Sequence, residues 1–434
     1  MAKYFSLLLI AFSFQLSAFS QENSPYSRYG IGDMVPNHNI VTRAMGGIAA
    51  GYSNGQSINF TNPATYSALS NSIFDIGVEI DSRKLKESNT TKNYTATNAL
   101  FSYMQLGFPI RMKKANLKGT FLGVNIGLKP NSRINYKINK FERLPGIDSI
   151  VTFYEGNGGV NEAYLGAGLA IKNFSVGFNL GYMFGNKNYI TQLAFLSDTV
   201  KYYESNSATK TSFGGLLLNG GIQYKIQINK QSVLRIGAYG SLKQDLSANK
   251  DVIRETIIFD ADGNANRVDS VYENNQKGTL VYPANYGFGF TYQQPHWLVG
   301  ADLEMTKWAD YRFYDQKDFV ANNWKFRVGT EYLPASINTP LKKYFSFVKY
   351  RVGFYYGPDN VKITNTIPEY AFSFGAGFPL KLRKSYYESQ NSILNTGIEI
   401  GSRGNNNTSL KENFIRFTVG LSLGDRWFTR YKYN

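Results

Sequence analysis

Apolar and polar residues alternate with a period of two along several stretches of the chain. Residues 414–423 are the clearest case, since Ile415, Phe417, Val419, Leu421 and Leu423 alternate with Arg416, Thr418, Gly420 and Ser422. Residues 174–184 and 371–380 repeat the pattern with phenylalanine at most of the apolar positions. Successive side chains of a β-strand point to opposite faces, whereas a helix would scatter the same residues around its circumference. The pattern therefore predicts strands with one apolar face.

The same signal recurs along the chain and predicts about fourteen strands. Their lengths, near ten residues, fit a tilted span of a lipid bilayer. The predicted strands begin near residues 72, 98, 119, 160, 173, 213, 231, 280, 296, 323, 344, 368, 392 and 412. We therefore expect an all-β fold, a transmembrane antiparallel β-barrel of about 14 strands.

The connections between these strands alternate in length, as in outer-membrane barrels with long outer loops and short periplasmic turns. Tight turns are predicted at Lys172-Asn173, Asn229–Gln231 and Gln294-Pro295, while two periplasmic connections, near 334–343 and 383–391, are longer. The predicted outer connections are residues 83–97, 130–159, 187–212, 246–279, 313–322, 357–367 and 403–411.

Two of the outer connections contain turn signals between β-prone runs. Pro145-Gly146 and Asp262-Gly263 predict hairpins there. These hairpins are interpreted as extensions of the barrel strands above the lipid, with gating or a binding surface for another protein as the alternatives.

The first twenty residues have the pattern of a secretory signal peptide. Lys3 precedes an apolar run from Tyr4 to Phe14, and Ala18-Phe19-Ser20 ends the segment with small residues. The run is shorter than the ~20 residues of a membrane-spanning helix. We expect residues 1–20 to be cleaved, between Ser20 and Gln21, and the mature chain to reside in the cell outer membrane.

Composition narrows the function classes. The chain has 32 Tyr, 31 Phe, 41 Gly and no Cys, which excludes a disulfide scaffold and thiolate metal sites. The net charge of +16 comes from scattered Lys and Arg, with no basic run typical of nucleic-acid binding. Outer-membrane lipid and acidic partners fit this charge better than nucleic acid does.

Residues 22–66 lack the alternation and are rich in Gly, Asn and Ser. A barrel of fourteen strands encloses a lumen that something must fill. We therefore divide the mature chain into an N-terminal segment and lumen plug, residues 21–70, and a barrel, residues 71–434.

Several segments in order resemble the FadL family of outer-membrane transporters. The strongest match is Arg43-Ala44-Met45-Gly46-Gly47-Ile48-Ala49 followed by Ile58-Asn59-Phe60-Thr61-Asn62-Pro63-Ala64, a small-residue stretch and an Asn-Pro-Ala turn. Further similar segments are 308–311, 326–332, 350–358 and 367–377. The resemblance implies a fourteen-stranded barrel plugged from the periplasmic side, with a hydrophobic pocket and, in transporters, a lateral exit to lipid.

Two features depart from the FadL pattern. Residues 24–33 precede the plug motif and have no counterpart role, and the chain ends in Tyr431-Lys432-Tyr433-Asn434, so Trp427 and Phe428 are the aromatic candidates in the last strand.

Candidate site residues lie in the plug and on the lumen face. Arg43, Ala44, Gly46, Gly47, Asn62, Pro63 and Ala64 are the plug and gating candidates, with Pro63 fixing φ and Asn62 capping its own loop. Asp75, Glu79 and Asp81 alternate with apolar residues and therefore face the lumen, because charge on the lipid face costs about 2–4 kcal/mol. They either pair with Arg43 or Arg416 and hold the plug, or stay independently solvated.

The sequence contains little catalytic chemistry. His38 and His296 are its two histidines, and we interpret His38 as a hydrogen-bonding loop residue and His296 as a solvated or Trp297-packed turn residue. We expect neither an enzyme nor a cofactor or metal.

The sequence is compatible with two functions. The first hypothesis is passive uptake of long-chain fatty acids or other hydrophobic molecules through the plugged lumen. The alternative is a non-transporting barrel subunit of a larger outer-membrane machine, such as a secretion or protein-insertion complex. A continuous apolar tunnel favours the first, and a sealed lumen favours the second.

Overall fold

The computed structural model describes residues 24–87, 93–110, 119–146, 148–196, 200, 202–259, 265–336, 339–340, 343–380, 391–405 and 407–425. The predicted signal peptide, its cleavage site, and Trp427, Phe428 and the C-terminal tetrapeptide lie outside these residues. Most of the described chain, 72%, is β-strand. Its strands are β1 (Asp33–Met34), β2 (Ser72–Glu87), β3 (Asn93–Ile110), β4 (Thr120–Arg143), β5 (Ser149–Ile171), β6 (Phe174–Phe195), β7 (Glu204–Gln227), β8 (Val233–Ser241), β9 (Gln244–Phe259), β10 (Ala265–Tyr282), β11 (Asn285–Gln293), β12 (Trp297–Thr306), β13 (Arg312–Phe313), β14 (Asn323–Tyr332), β15 (Lys349–Lys362), β16 (Thr366–Pro379), β17 (Asn391–Arg403) and β18 (Leu410–Asp425).

Helical structure is short. One α-helix, α1, spans Ile40–Arg43, and 3₁₀ turns span Pro25–Arg28, Pro63–Ala68, Trp308–Asp310 and Tyr344–Phe347. Within the described ranges, no helix has the length and apolar character needed to cross a membrane.

The strands form one closed antiparallel barrel. β18 pairs with β2 over their whole length, from Leu410 opposite Glu87 to Asp425 opposite Ser72. β7 pairs with both β8 and β9, which are two halves of one barrel strand, and β10 and β11 are the halves of the next. Counted this way the barrel has 14 strands, which confirms the predicted fold.

An apolar belt surrounds the barrel, and the lumen face is polar. On β6, for example, Phe178 is 53% exposed while its neighbour Asn179 is 4% exposed. The outward residues of β2, β5, β7, β11, β16 and β18 follow the same rule, among them Val78, Ile80, Leu165, Leu216, Leu218, Phe288, Phe290, Phe372, Phe374, Ile415, Phe417 and Val419. This is the arrangement that a membrane barrel requires.

The predicted strand lengths were wrong on one side of the barrel. β4, β5, β6 and β7 have 24, 23, 22 and 24 residues, so most of 130–159 and 187–212 is strand rather than loop. β9 and β10 likewise occupy most of 246–279. Above the lipid the outward face of a strand meets water, so apolar alternation no longer marks the strand. We call the parts of β4–β7, β9 and β10 above the belt the outer wall. On the other side β12 and β14 have only 10 residues each.

The opposite end of the barrel has the tight turns. They lie at Lys172-Asn173, at 228–232 and at 294–296. β14 and β15 are joined by a longer connection containing the turn Tyr344–Phe347. The other long connection expected here, 383–391, falls on residues that are not described except at its last position. We assign the tight-turn end to the periplasm and the outer wall to the cell exterior.

Residues 24–71 run through the lumen from the outer end to the periplasmic end. The Ser24 hydroxyl donates a hydrogen bond to Glu412 near the outer end of β18, and β2 begins at Ser72 at the opposite end. Nearly all side chains between Ile40 and Ala50 are buried. We call residues 40–68 the hatch and Ser24–Val35 the lid segment.

The belt leads to a stability prediction. Phe178→Arg places a charge among lipid-facing residues and should destabilise the barrel by about 2–4 kcal/mol. Ser212→Arg is the matched control, because Ser212 is exposed and pairs with Asn186, which lies beyond Phe184, the last belt residue of β6. Urea unfolding in lipid vesicles measures both, and equal losses for the two variants would contradict the belt.

Candidate functional site: the filled lumen of the barrel

The hatch begins with one helical turn that positions Arg43. The Asn39 side chain caps α1 by accepting a hydrogen bond from the Thr42 N–H at 2.8 Å, and its amide donates to the Ile58 carbonyl at 2.6 Å. This capping fixes the helix against the second half of the hatch. Arg43, the last residue of α1, is 5% exposed.

Arg43 lies at the centre of an ion-pair network. Its guanidinium contacts Glu79 of β2 and Glu399 of β17, the latter at 3.3 Å. Glu79 also contacts Arg133 of β4 at 2.7 Å, and Glu399 contacts Arg416 of β18 at 3.0 Å. The hatch is therefore joined through buried charges to four strands of the wall.

The four predicted lumen charges are all buried but not all in ion pairs. Arg416 Nε lies 3.5 Å from Asp81, which also contacts Arg83 at 2.8 Å. Asp75 instead accepts hydrogen bonds from Ser422 at 3.0 Å, from Gln105 at 3.1 Å and from Tyr103 at 3.4 Å. Of the three predicted acidic residues, Glu79 contacts Arg43 and Asp81 contacts Arg416. Glu79 and Asp81 are therefore paired and not independently solvated.

Glycines let the hatch backbone approach the wall closely. Gly46 and Gly47 have φ of +67° and +87°, which L side chains rarely adopt. A Cβ at Gly46 would lie 2.6 Å from the Val328 carbonyl oxygen and 2.7 Å from that of Phe354. The Gly46 N–H donates to Ser373 at 2.9 Å, and Arg327 donates to the Gly46 carbonyl at 3.0 Å.

Small residues on the wall complete this fit. Ala44 lies against Gly375, where an added Cβ would come within 2.5 Å of the alanine methyl group. Gly168 has the same relation to the Pro63 carbonyl.

The Asn62-Pro63-Ala64 turn opens the 3₁₀ helix Pro63–Ala68 near the periplasmic end. Asn62 is fully buried; its side-chain oxygen accepts from the Ala64 N–H at 3.2 Å. Its amide donates to the Ala50 carbonyl at 2.7 Å and to the Ile222 carbonyl of β7 at 3.3 Å. One side chain thus ties together the turn, the first half of the hatch and the wall.

Further charged residues belong to this lumen network and were not singled out from the sequence. Asp302 accepts from the backbone N–H groups of Ala49 and Ala50 at 2.6 and 2.7 Å, and Arg327 contacts Glu304 at 3.2 Å. Asp302, Glu304 and Arg327 each lie between two outward-facing residues of a strand. The reasoning that placed Asp75, Glu79 and Asp81 on the lumen face would therefore have identified them too.

Near the outer end, Asp33 of the lid segment binds two arginines. Its carboxylate lies 2.7 Å from Arg83 of β2 and 2.8 Å from Arg403 of β17. Burial alone would raise the pKa of Asp33, but the two guanidinium groups hold that pKa well below its usual range. Asp33 is therefore ionised at neutral pH.

The space left between lid segment, hatch and wall is small and charged. The central cavity measures about 160 Å³. Its charged lining residues are Asp33, Arg43, Arg83, Lys129, Glu162, Glu304, Lys325, Arg327, Asp359, Glu369, Glu399, Arg403 and Arg416. Such a lining suits water and ion pairs rather than a hydrocarbon chain.

The two histidines lie far apart in the fold. His38 lines the cavity, and burial together with the nearby Arg327 lowers its pKa well below the usual value, so the ring is neutral. Its Nδ1 lies 3.3 Å from the Thr61 hydroxyl. His296 lies in a periplasmic turn with Nδ1 2.8 Å from the Leu333 carbonyl. In the part of the chain that the structure describes, no cluster of three or more His, Cys, Asp or Glu could hold a metal ion.

The network yields a first prediction for this site. Arg43→Ala leaves Glu79 and Glu399 with one arginine each, and should cost about 3 kcal/mol, the lower end of the range for breaking a buried pair. Arg254→Ala is the matched control, because its pair with Glu273 on the outer wall is exposed, and the loss should stay below about 1 kcal/mol. Denaturant-induced unfolding measures both variants. Equal unfolding midpoints would mean that the ion pairs of Arg43 do not hold the hatch.

A second prediction separates close packing from backbone strain. Gly46→Ala and Gly146→Ala both place a side chain at positive φ, at +67° and +78°, but nothing lies within 4 Å of a Cβ at Gly146. Gly146→Ala should cost about 1–2 kcal/mol from strain. Gly46→Ala should cost about 1–3 kcal/mol more, because the hatch must move away from the wall. Thermal unfolding measures both, and a similar loss at the two glycines would mean that the hatch is loosely packed.

Comparisons with known proteins agree on the barrel. The Pseudomonas putida toluene transporter TodX superposes with a TM-score of 0.58 at 15% identity, over 91% of this chain and 99% of that one. The Ralstonia pickettii toluene transporter TbuX gives 0.54 at 15% identity, over 89% and 98%. A Pseudomonas aeruginosa FadL homologue gives 0.54 at 12% identity, over 91% and 99%. These identities establish the fold alone.

Sequence comparison gives the family. No curated protein matches the chain. The family model BamG matches residues 1–434, the whole sequence. The FadL resemblance thus describes the outer-membrane barrel fold, and the chain belongs to the BamG family.

Proposed function

We propose that this protein is a non-transporting barrel subunit of a larger outer-membrane complex. The observation that carries the proposal is the lumen cavity, which is about 160 Å³ and lined by thirteen charged side chains. Pockets for drug-sized ligands measure about 300–1,000 Å³ and are lined mostly by apolar residues. A long-chain hydrocarbon would need both more room and a less polar wall.

Opening the lumen would also be costly. The hatch is held by Arg43 at Glu79 and Glu399, by Asp302 at the Ala49 and Ala50 N–H groups, and by Arg327 at the Gly46 carbonyl. Moving the hatch breaks these contacts together, and each separated buried charge costs several kcal/mol. We infer that Arg43, Ala44, Gly46, Gly47 and the Asn62-Pro63-Ala64 turn hold a fixed plug rather than a gate.

The outer wall supports a role in docking a protein. β6 continues for eleven residues beyond Phe184, which at about 3.3 Å per residue places its tip roughly 36 Å along the strand from the belt. Large apolar side chains are exposed there, including Phe141 at 69%, Tyr203 at 62% and Val271 at 56%. Solvent-exposed apolar groups at this height have no lipid to cover them, and contact with a partner would do so.

Localisation follows from the same picture. We infer that residues 1–20 direct export and are removed at Ser20/Gln21, and that the barrel resides in the outer membrane with lipid against its apolar belt. Neither an enzymatic step nor a cofactor is part of this proposal.

A second candidate is passive uptake of fatty acids or other hydrophobic molecules. Its support is the shared fold, since the toluene transporters superpose over about nine-tenths of this chain. Uptake would require the hatch and the lumen charges to rearrange into an apolar path.

One experiment separates the candidates. The tagged protein is purified in mild detergent from its native membrane, and mass spectrometry of the same sample identifies bound lipid and stoichiometric proteins, with another tagged outer-membrane barrel as the control. A stoichiometric protein partner and an empty lumen are expected. A retained fatty acid without any partner would favour uptake.

Variants locate the docking surface. Phe141→Glu on the outer wall should lower the amount of co-purified partner. Phe345→Glu is the matched control, since Phe345 is 70% exposed near the periplasmic end. Loss of the partner with Phe345→Glu but not Phe141→Glu would move the interface to the periplasmic face.

A further inference from the structure

The lid segment crosses the outer mouth of the barrel. On the side formed by β15, β16 and β18, Tyr26 packs against Val361 and Ile367, and its hydroxyl donates to the Leu410 carbonyl at 2.8 Å. Arg403 of β17 stacks over the Tyr26 ring, with 4.9 Å between the guanidinium carbon and the ring centroid. At Tyr26 the lid segment is thus held against β15–β18, on the side of the mouth opposite the outer wall.

Five residues further on, the lid segment is anchored on the opposite side, at the base of the outer wall. Ile31 is fully buried in a cluster contributed by β5, β6, β7, β9 and β10, together with Trp308 and Tyr311. The Gly30 carbonyl accepts from Lys187 at 2.7 Å and from the Tyr311 hydroxyl at 3.0 Å, and the Gly30 N–H donates to Asp318 at 2.8 Å. Both backbone groups of Gly30 are therefore satisfied by side chains reaching across the mouth.

The lid segment also covers a gap in the barrel wall. β3 pairs with β4 only between Met104–Ile110 and Leu122–Leu128. Beyond this pairing, the edge of β4 pairs with β1 of the lid segment, Asp33 opposite Arg133 and Met34 opposite Ser132, and the Val35 N–H donates to the Asn131 carbonyl at 3.0 Å. The lid segment occupies the place that β3 would take in a regular barrel.

Arg133 spans the remaining distance to β3. Its guanidinium donates to the Phe101 carbonyl of β3 at 2.6 Å and to Glu79 of β2 at 2.7 Å. Backbone groups at a barrel edge near lipid need partners, because no water is there to bind them. The lid segment and Arg133 supply such partners on the two sides of the gap.

We propose that the lid segment is a second seal, separate from the hatch, which closes both the outer mouth and the gap between β3 and β4. Ser24, which donates to Glu412 near the outer end of β18, then lies at the outer mouth of the barrel. This inference goes beyond the proposed function, since it concerns what closes the barrel and not which protein the barrel binds.

Asp33 is the residue to change. Its two ion pairs hold the lid segment to β2 and β17, yet Arg83 keeps Asp81 and Glu412, and Arg403 keeps Asp359 and Glu412. Asp33→Ala therefore removes these contacts without leaving either arginine unpaired, and Ile31→Asp removes the anchor in the apolar cluster on the opposite side. The double variant Ile31→Asp, Asp33→Ala should release the lid segment without unfolding the barrel. Asp269→Asn, on the exposed strand β10, is the control.

The measurement is ion conductance in planar bilayers. We expect the double variant to gain conductance that the parent protein and Asp269→Asn lack. Because the chain has no cysteine, the pair Met34→Cys and Ser132→Cys can be added cleanly. Directly opposed residues of antiparallel strands lie about 4.5–5.5 Å apart at Cα, within disulfide range. Oxidation should remove the added conductance and reduction should restore it.

Two results would overturn the proposal. One is a folded barrel of the double variant, with the heat-dependent gel mobility of the parent, that conducts no more than the parent. The other is an Asp269→Cys variant that a membrane-impermeant maleimide labels only after the outer membrane is permeabilised, which would place the lid segment at the periplasmic mouth.

Discussion

A charge inside a lipid-surrounded barrel needs an opposite charge or hydrogen-bond donors, and the rest of this structure depends on that constraint. The wall strands present charged and polar residues to the lumen because lipid excludes them from the other face. The lumen is too narrow, once filled, to solvate them freely. Arg43 of the hatch pairs with acidic residues of the wall, and Asp33 of the lid segment pairs with arginines of the wall nearer the outer end. The N-terminal segment therefore neutralises wall charges as well as filling the lumen.

Close packing adds to the ion pairs. The Gly46-Gly47 pair at positive φ brings the hatch backbone against β14 and β15, and wall glycines such as Gly168 and Gly375 receive it from the other side. Small residues on both surfaces leave little void, which is why the residual cavity is about 160 Å³ in a barrel of 14 strands. The same surfaces that resemble a transporter plug thus form a filled core.

The fold could be predicted from the sequence because membrane barrels impose a strict alternation. β6 is the clearest example, with six apolar residues from Phe174 to Phe184 facing lipid. The prediction failed where that constraint ends, since residues 185–195 of the same strand lie beyond the belt, where the outward face need not be apolar. The alternation with apolar residues also identified Asp75, Glu79 and Asp81 as residues that face the lumen. Arg43 and Arg416 were named as possible partners, but which carboxylate each would contact could not be derived, because Arg43 and Glu79 are brought together only by the path of the hatch. Asp33 could not be found, because it lies in a segment without any periodic pattern.

The most direct test of the central claim, that the lumen is closed to hydrophobic molecules, is equilibrium binding of a radiolabelled long-chain fatty acid to the purified barrel in detergent. The account predicts no saturable binding, and none when the hatch contact is weakened by Arg43→Lys. One fatty acid bound per barrel, displaced by unlabelled ligand, would contradict it and would show that the charged lumen opens to admit a hydrocarbon chain.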